Sequence, residues 1–180
     1  MKKILLAVTG GVAIYKSLTL IRLLKKDGYE VRVIMTESAK KLISAQLFST
    51  ISGDFVHSEL FDDTTNKIVH IESTRWADLV VVAPATANII GKLANGIADD
   101  LLSTTLMAND KPIMIAPAMN VEMWNCKPFQ RNLKQVQEDG IIIIEPECGN
   151  LACGIEGKGR MEEPENIFKK IQEYFINVKS

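Results

Sequence analysis

A thiol, an imidazole and a carboxamide are the side chains of this chain best suited to chemistry, and each sits in a short stretch of unusual composition. Cys153 lies in GNLACGIEGKGRM (149–161), among Gly149, Gly154, Gly157 and Gly159. Glycine loses more backbone entropy on ordering than any other residue, so this run predicts a mobile or unusually shaped flap. An unperturbed thiol titrates near pH ~8.5 and is mostly protonated at neutral pH, so a flap thiol can carry a proton. His70 lies in HIESTRWAD (70–78), and an imidazole is the side chain best suited to proton transfer near neutral pH. Asn120, in PAMNVEMW (117–124), offers an amide that hydrogen-bonds a carboxylate or carbonyl without adding charge. Judged by type alone, His70 reads as readily as a structural histidine, Asn120 as a turn residue, and Met119, Met123 and Trp124 as core or interface.

Elements must position these groups, and the chain supplies them in alternation. KKILLAV (2–8), EVRVIM (30–35), DLVVVAP (78–84), KPIMIAP (111–117) and IIIIEP (141–146) read as strands, with a further short one around 54–58. The run at 78–84 is almost wholly apolar, the mark of a central strand buried on both faces. Helical spacing appears in Ile14, Leu18, Ile21 and Leu24, ended by Gly28, and in 38–51, closed by Gly53. ATANIIGKLANG and ADDLLSTTLMAND, residues 126–139 and residues 164–178 are also helical, the last with Pro164 at its start and Ile167, Ile171, Tyr174 and Val178 along one face. The segment 54–70 is weakly patterned, and HIESTRWAD is assigned to no element. This order predicts an α/β fold: a three-layer, doubly wound Rossmann-like or flavodoxin-like parallel sheet with helices on both faces. Right-handed crossovers then bring the strand C-terminal ends to one edge, where such folds bind ligands.

Four of those ends are rich in glycine or hydroxyl groups. TGGVAIYKS follows the first strand, and its two glycines let backbone approach a ligand while a helix N-terminus offers N–H groups to a phosphate. It is not GxGxxG, because Ala13 and Ile14 fill the later positions, so a dinucleotide site is not indicated; a plain tight turn reads equally well. MTESA (35–39), PATAN (84–88) and ADDLLSTT with Ser103, Thr104 and Thr105 suit helix caps or a polar ligand alike. Together on one edge they point to a phosphorylated planar cofactor.

The chain has 180 residues, 47% hydrophobic and 24% charged, with a net charge of −1. That length predicts one domain, residues 1–180, with the flap at about 148–161. The charge gives no reason to expect nucleic acid or an anionic membrane, and no apolar run approaches the ~20 residues of a membrane span. MKKILLAVTGG starts like a signal peptide, but ILLAV is too short for the apolar core of one. Cys126, Cys148 and Cys153 are an odd number at irregular spacing, which predicts reduced thiols in a cytoplasmic protein. No CxxC pair or nearby histidine supports a metal site.

PAMNVEMW resembles the PxMNxxMW motif of the flavin-containing cysteine decarboxylases. The flap resembles the substrate-recognition clamp of the branch that acts on 4′-phosphopantothenoylcysteine. HIESTRWAD resembles the stretch with that family's active-site histidine, APATANIIGKLANGIADDLLSTT its flavin-binding segment, and VTGGVAIYKS its first loop, with Gly11 where many relatives have serine. The match runs in the family's order from residue 2 to about 165. It implies FMN as cofactor and coenzyme A biosynthesis as the setting. The substrate thiol is oxidised to a thioaldehyde, CO2 leaves to give an enethiol, and the enethiol is reduced to 4′-phosphopantetheine, so the net reaction is redox-neutral.

The resemblance assigns His70 as general base, Asn120 to the substrate carboxylate and Cys153 as proton donor in the second half-reaction. Gly154, Gly157 and Gly159 would then give the flap its hinge freedom. Met123 and Arg75 are further substrate contacts, and Lys158 and Arg160 candidates for its phosphate, although ordinary solvated charges explain these two as well. For FMN the resemblance points to Gly10, Gly11, Val12, Thr36, Glu37 (through its backbone), Ser38, Thr86, Ala87, Asn88, Ile89 and Ala118. It also implies a homotrimer or homododecamer, and a ligase making the substrate on a separate chain. Cys148 has no part in this scheme. Other readings are a peptidyl-cysteine decarboxylase, which would differ in the clamp, and a flavin-binding regulatory subunit, for which loss of the His, Asn or Cys would be expected. A flavin prenyltransferase would lack both PxMNxxMW and clamp.

Overall fold

Apolar residues that alternate along each strand sort the core into two layers. In the computed structural model, which describes residues 1–61, 68–150 and 156–178, β1 (Lys3–Val8) sends Ile4, Leu6 and Val8 to one face and Leu5 and Ala7 to the other. β4 (Leu79–Ala85) divides in the same way, Leu79, Val81 and Ala83 against Val80, Val82 and Ala85. Both strands are buried on both faces, as the continuous apolar run at 78–84 predicts.

With β2 (Glu30–Met35), β3 (Val56–His57), β5 (Ile113–Pro117) and β6 (Ile142–Ile143), these form a six-stranded sheet in the order β3-β2-β1-β4-β5-β6. Every pairing in it is parallel. This is the Rossmann order rather than the flavodoxin order. The chain reverses its direction of growth between β1 and β4, and a crevice opens there at the C-terminal ends of the strands.

α1 (Ile14–Lys26), α3 (Ala45–Ser52) and α9 (Pro164–Asn177) cover one face through Leu20, Ile21, Leu24, Phe48, Ile167, Ile171 and Phe175. α4 (Val69–Trp76), α5 (Ala87–Ala94), α6 (Leu101–Met107) and α8 (Lys127–Glu138) cover the other. The expected apolar face of α9 is corrected at its end: Phe175 is buried there and Val178 is exposed.

Three other expectations are corrected. The single helix at 38–51 is two, α2 (Glu37–Lys40) and α3, because the Ser44 side chain accepts from Leu47 N–H at 3.4 Å and starts a new helix. HIESTRWAD is helical as α4, whose buried face is Val69, Ser73 and Thr74; small hydroxyl residues carry the period, so no apolar stripe announces it. The flap region contains an antiparallel pair, β7 (Glu147–Asn150) and β8 (Glu156–Arg160).

Candidate active site

Thr9, directly after β1, joins the two sides of the crevice. It is buried; its hydroxyl donates to Pro84 O at 2.7 Å and accepts from Thr86 N–H at 3.2 Å. Ser17 Oγ on α1 donates to Ala83 O at 2.7 Å. The glycine turn and the end of β4 are thereby held at a fixed distance, with hydroxyls satisfying carbonyls that the ends of parallel strands leave open.

Two cavities meet at this junction. The larger, about 720 Å³, is lined by Gly10, Gly11, Val12, Thr86, Ala87, Ala118, Asn120 and Met123, with Tyr15, Lys16, Arg160 and others. The smaller, about 440 Å³, is lined by Thr36, Glu37, Ser38, Asn88, Ile89 and Lys92 among others. Gly10, Thr86, Ala87 and Met123 belong to both. All eleven residues expected at a flavin thus line one cavity or the other.

The walls of the smaller cavity suit a phosphate ester. A Cβ on Gly10 would lie 2.5 Å from Ser38 Cβ and 3.0 Å from its carbonyl carbon, so only glycine lets the turn close on Ser38. Thr86 is the N-cap of α5, yet its hydroxyl makes no cap bond. The first N–H groups of α5 have no intrahelical partner and face a cavity wall formed by Ala87, Asn88 and Ile89, a favourable setting for an anion. The Glu37 carboxylate turns to Lys40 Nζ at 2.5 Å, leaving backbone to face the cavity.

Lys92 stands in the same wall with Asp99 at 2.5 Å and Asp100 at 2.6 Å. Burial disfavours its charge, but the hydrogen bonds it donates to Asp100 and Asp99 prevail and raise its pKa. Burial pushes Asp100 up, while Lys92 and the Ser103 cap bonds pull it further down, so its carboxyl stays below the usual range. Lys92 is therefore spent on fastening α5 to α6.

Asn120 is the N-cap of α7 (Val121–Asn125), and its Oδ1 accepts from Met123 N–H at 2.7 Å. With Oδ1 committed, the Nδ2 hydrogens are the free donors at the wall of the larger cavity. Lys16, missed in the sequence reading, lies in the same wall. It is only 4% exposed, and its ammonium donates to Met161 O at 2.7 Å and Glu163 Oε1 at 2.9 Å. Arg160 Nη2 reaches that same Oε1 at 2.6 Å. Glu147 and Glu162 stand beside the same group, so Lys16 and Arg160 are paired within a cluster of three carboxylates.

His70 and Arg75 line neither cavity. Both are on α4, with His70 at its start, near the strand C-terminal edge, and exposed Arg75 in its last turn, toward the opposite edge. His70 Nδ1 is buried without a hydrogen-bond partner among the described residues. Cys153 and Gly154 lie outside the described residues.

Hinge freedom is not what Gly157 and Gly159 provide. A Cβ on Gly157 would meet Val121 Cγ2 at 2.6 Å, and one on Gly159, which has φ +138°, would meet Met119 O at 2.4 Å. Both are needed for close approach of β8 to the PAMN segment, sealed by Met119 N–H to Gly159 O at 3.0 Å. Lys158 points away from the cavities, to Glu145 Oε2 at 2.5 Å and over the Trp124 ring at 5.1 Å. At the flap base, burial and the facing Glu162 push the Glu147 carboxyl up.

The family model described as Flavoprotein matches residues 1–176. The chain belongs to the Flavoprotein family. It is 49% identical over 175 residues to the coenzyme A biosynthesis bifunctional protein CoaBC of Bacillus subtilis (strain 168), covering 97% of this chain and 43% of that protein. The chain therefore spans less than half the length of the curated relatives it matches. Among solved structures, a PPC decarboxylase variant complexed with pantothenoylaminoethenethiol superposes with a TM-score of 0.86 at 33% identity, over 97% of this chain and 98% of that one. The FMN binding protein AtHal3 superposes with a TM-score of 0.83 at 34% identity, over 98% and 97%. This flavoprotein chain thus shares its fold over nearly its whole length with a PPC decarboxylase and with an FMN binding protein.

Proposed function

We propose that the protein is an FMN-dependent decarboxylase that converts 4′-phosphopantothenoylcysteine to 4′-phosphopantetheine and CO2 in coenzyme A biosynthesis. The observation that carries this reading is Asn120: a carboxamide with its oxygen locked and its N–H groups free, in the wall of the cavity that the Gly10–Gly11 turn opens. The residues of the smaller cavity and the shared wall would hold FMN, which would supply two-electron oxidation of the substrate thiol and its reversal. The protein contributes position and protons. Asn120 Nδ2 holds the substrate carboxylate by neutral hydrogen bonds, so no fixed positive charge opposes its departure as CO2. Arg160, in the wall of the larger cavity, is a candidate contact for the substrate's phosphate. Cys153 is the proton donor to the enethiol, carried in by the flap.

His70 as base and Arg75 as substrate contact require a second copy of the chain, since both lie away from the cavities of their own. Exposed apolar side chains support such packing: Phe61 (87%), Val12 (68%), Phe55 (61%) and Tyr15 (58%). A homotrimer or homododecamer satisfies this, with residues 1–180 acting as one domain whose flap spans about 148–161. No helix among the described residues is long and apolar enough to cross a membrane; we place the protein in the cytoplasm, where a ligase activity supplies the substrate.

The test is to mix the flavin-loaded protein with 4′-phosphopantothenoylcysteine and follow the product by mass spectrometry. Wild type should release CO2 and give 4′-phosphopantetheine; Cys153→Ser should stop at the enethiol. A yellow protein that leaves this compound unchanged but decarboxylates a peptide with a C-terminal cysteine would overturn the substrate assignment and keep the chemistry.

A further inference from the structure

Asn120 caps a helix of only five residues. Isolated helices shorter than about 12 residues do not hold themselves in water, so the attitude of α7, and with it the direction of the Asn120 N–H groups, is set by what packs on α7. One support is the following helix, α8: the buried Trp124 ring lies 5.3 Å from Phe129. The other is β8, the return strand of the flap.

Three successive β8 residues meet the 119–124 stretch, each by a different physical means. Gly157 lies close against Val121 because it has no side chain. Gly159 accepts the Met119 N–H. Between them, Lys158 lays its ammonium over the Trp124 ring, and Glu145 keeps it there from the opposite side. Trp124 is on the same helix as the capped Met123 N–H, one turn from Asn120.

We propose that Lys158 is a positioning residue: through Trp124 it fixes α7 and thereby aims the Asn120 amide at the substrate carboxylate. It follows that β8 and α7 move as one body, and that a displacement of β8 displaces the carboxylate site. This inference rests on the role given to Asn120 above. It differs from a direct contact of Lys158 with the substrate's phosphate, which a lysine on a flap would suggest, because here the ammonium faces an indole and a carboxylate.

The experiment is a double-mutant cycle of Lys158→Met and Asn120→Ala, read as the Kd of the flavin-loaded protein for 4′-phosphopantothenoylcysteine from the flavin absorbance change. With Asn120 present, loss of the cation–π contact should weaken binding about two- to fivefold. With Asn120→Ala the same change should have no further effect, because residues acting as a unit are not additive. Lys158→Arg, which keeps charge and ring contact, should restore wild-type affinity. Equal weakening in both backgrounds overturns the proposal and assigns Lys158 a separate contact; no weakening in either also overturns it.

A readout without substrate separates this outcome from failure of the functional reading. In a Trp76→Phe background Trp124 is the remaining tryptophan, and Lys158→Met should increase its quenching by acrylamide. If wild type fails to bind the substrate, the functional reading falls and quenching alone decides the β8–α7 contact. Unchanged quenching then refutes it.

Discussion

Replacing Gly10 and Gly11 one at a time should give opposite results, although they are adjacent in one turn. Neither has positive φ, so alanine is not excluded by backbone conformation, and only space decides. At Gly10 a Cβ would stand 2.5 Å from Ser38 Cβ and 3.0 Å from Ser38 backbone carbon. Reaching an ordinary contact of about 3.4 Å needs a shift of about 0.9 Å between the turn and the start of α2, two walls of the same cavity. Overpacking of this kind costs about 1–3 kcal/mol. Charged against the flavin-bound state, that is a loss of about five- to 150-fold in FMN affinity. At Gly11 the nearest atoms would be Pro84 Cγ at 3.4 Å and Thr86 Cγ2 at 3.7 Å, within normal packing, so alanine should leave affinity within about twofold. The assay is flavin content after purification, from the ratio of visible to ultraviolet absorbance, followed by titration of stripped protein with FMN. Gly10→Ala retaining flavin at wild-type affinity would refute the cradle, as would equal losses at both positions.

Asn120→Asp keeps a side-chain oxygen for the Met123 N–H and should leave Tm nearly unchanged, since Asn and Asp cap alike; it replaces the donor by a negative oxygen, so turnover should fall at least about a hundredfold. A melting curve and a product assay on the same sample separate the two effects. Lys16→Met keeps the buried stem but strips Met161 O and Glu163 of a charged donor; because Glu163 keeps Arg160, the cost should be about 2–3 kcal/mol, or about 4–12 °C in Tm. An unchanged Tm would mean that the ammonium contributes nothing net. Asp100→Asn retains the α6 cap and removes one of the two carboxylates that face Lys92, leaving Asp99. The folded pKa of Asp100 is depressed, so its stabilisation is present above the unfolded value near pH ~4 and is lost as pH falls through the folded one. Wild type should therefore melt higher than the variant at neutral pH, with the gap closing below about pH 4; a gap independent of pH would dismiss the ion pair.

The strand-by-strand layout was readable because apolar runs such as LVVVAPA leave little choice of element, and the turn motifs follow the strands directly. The glycine and hydroxyl residues that line the two cavities at the strand ends were readable as well, since each is local to one strand end. What escaped notice depends on long-range packing. α4 hides its period in Ser73 and Thr74, small hydroxyl residues that are buried, Thr74 Oγ1 donating to Ile71 O at 3.0 Å. The glycines of the flap read as freedom because their neighbours, Val121 and Met119, are more than 30 positions away. Lys16 carries no signal of its own in the sequence, and only the return of the chain at Met161 and Glu163 explains its burial. His70 and Arg75 were recognised by motif, yet no sequence pattern tells which cavity an outward helix face will serve.

The wall that belongs to both cavities also limits how the protein can diversify. A substitution at Gly10, Thr86, Ala87 or Met123 alters two ligand surfaces at once, so any gain with a new substrate is coupled to a change in the redox partner beside it. Tyr15 and Arg160 touch the larger cavity alone. New substrate ranges in chains of this design should therefore arise first at those unshared positions, while the common wall changes slowly and only in concert.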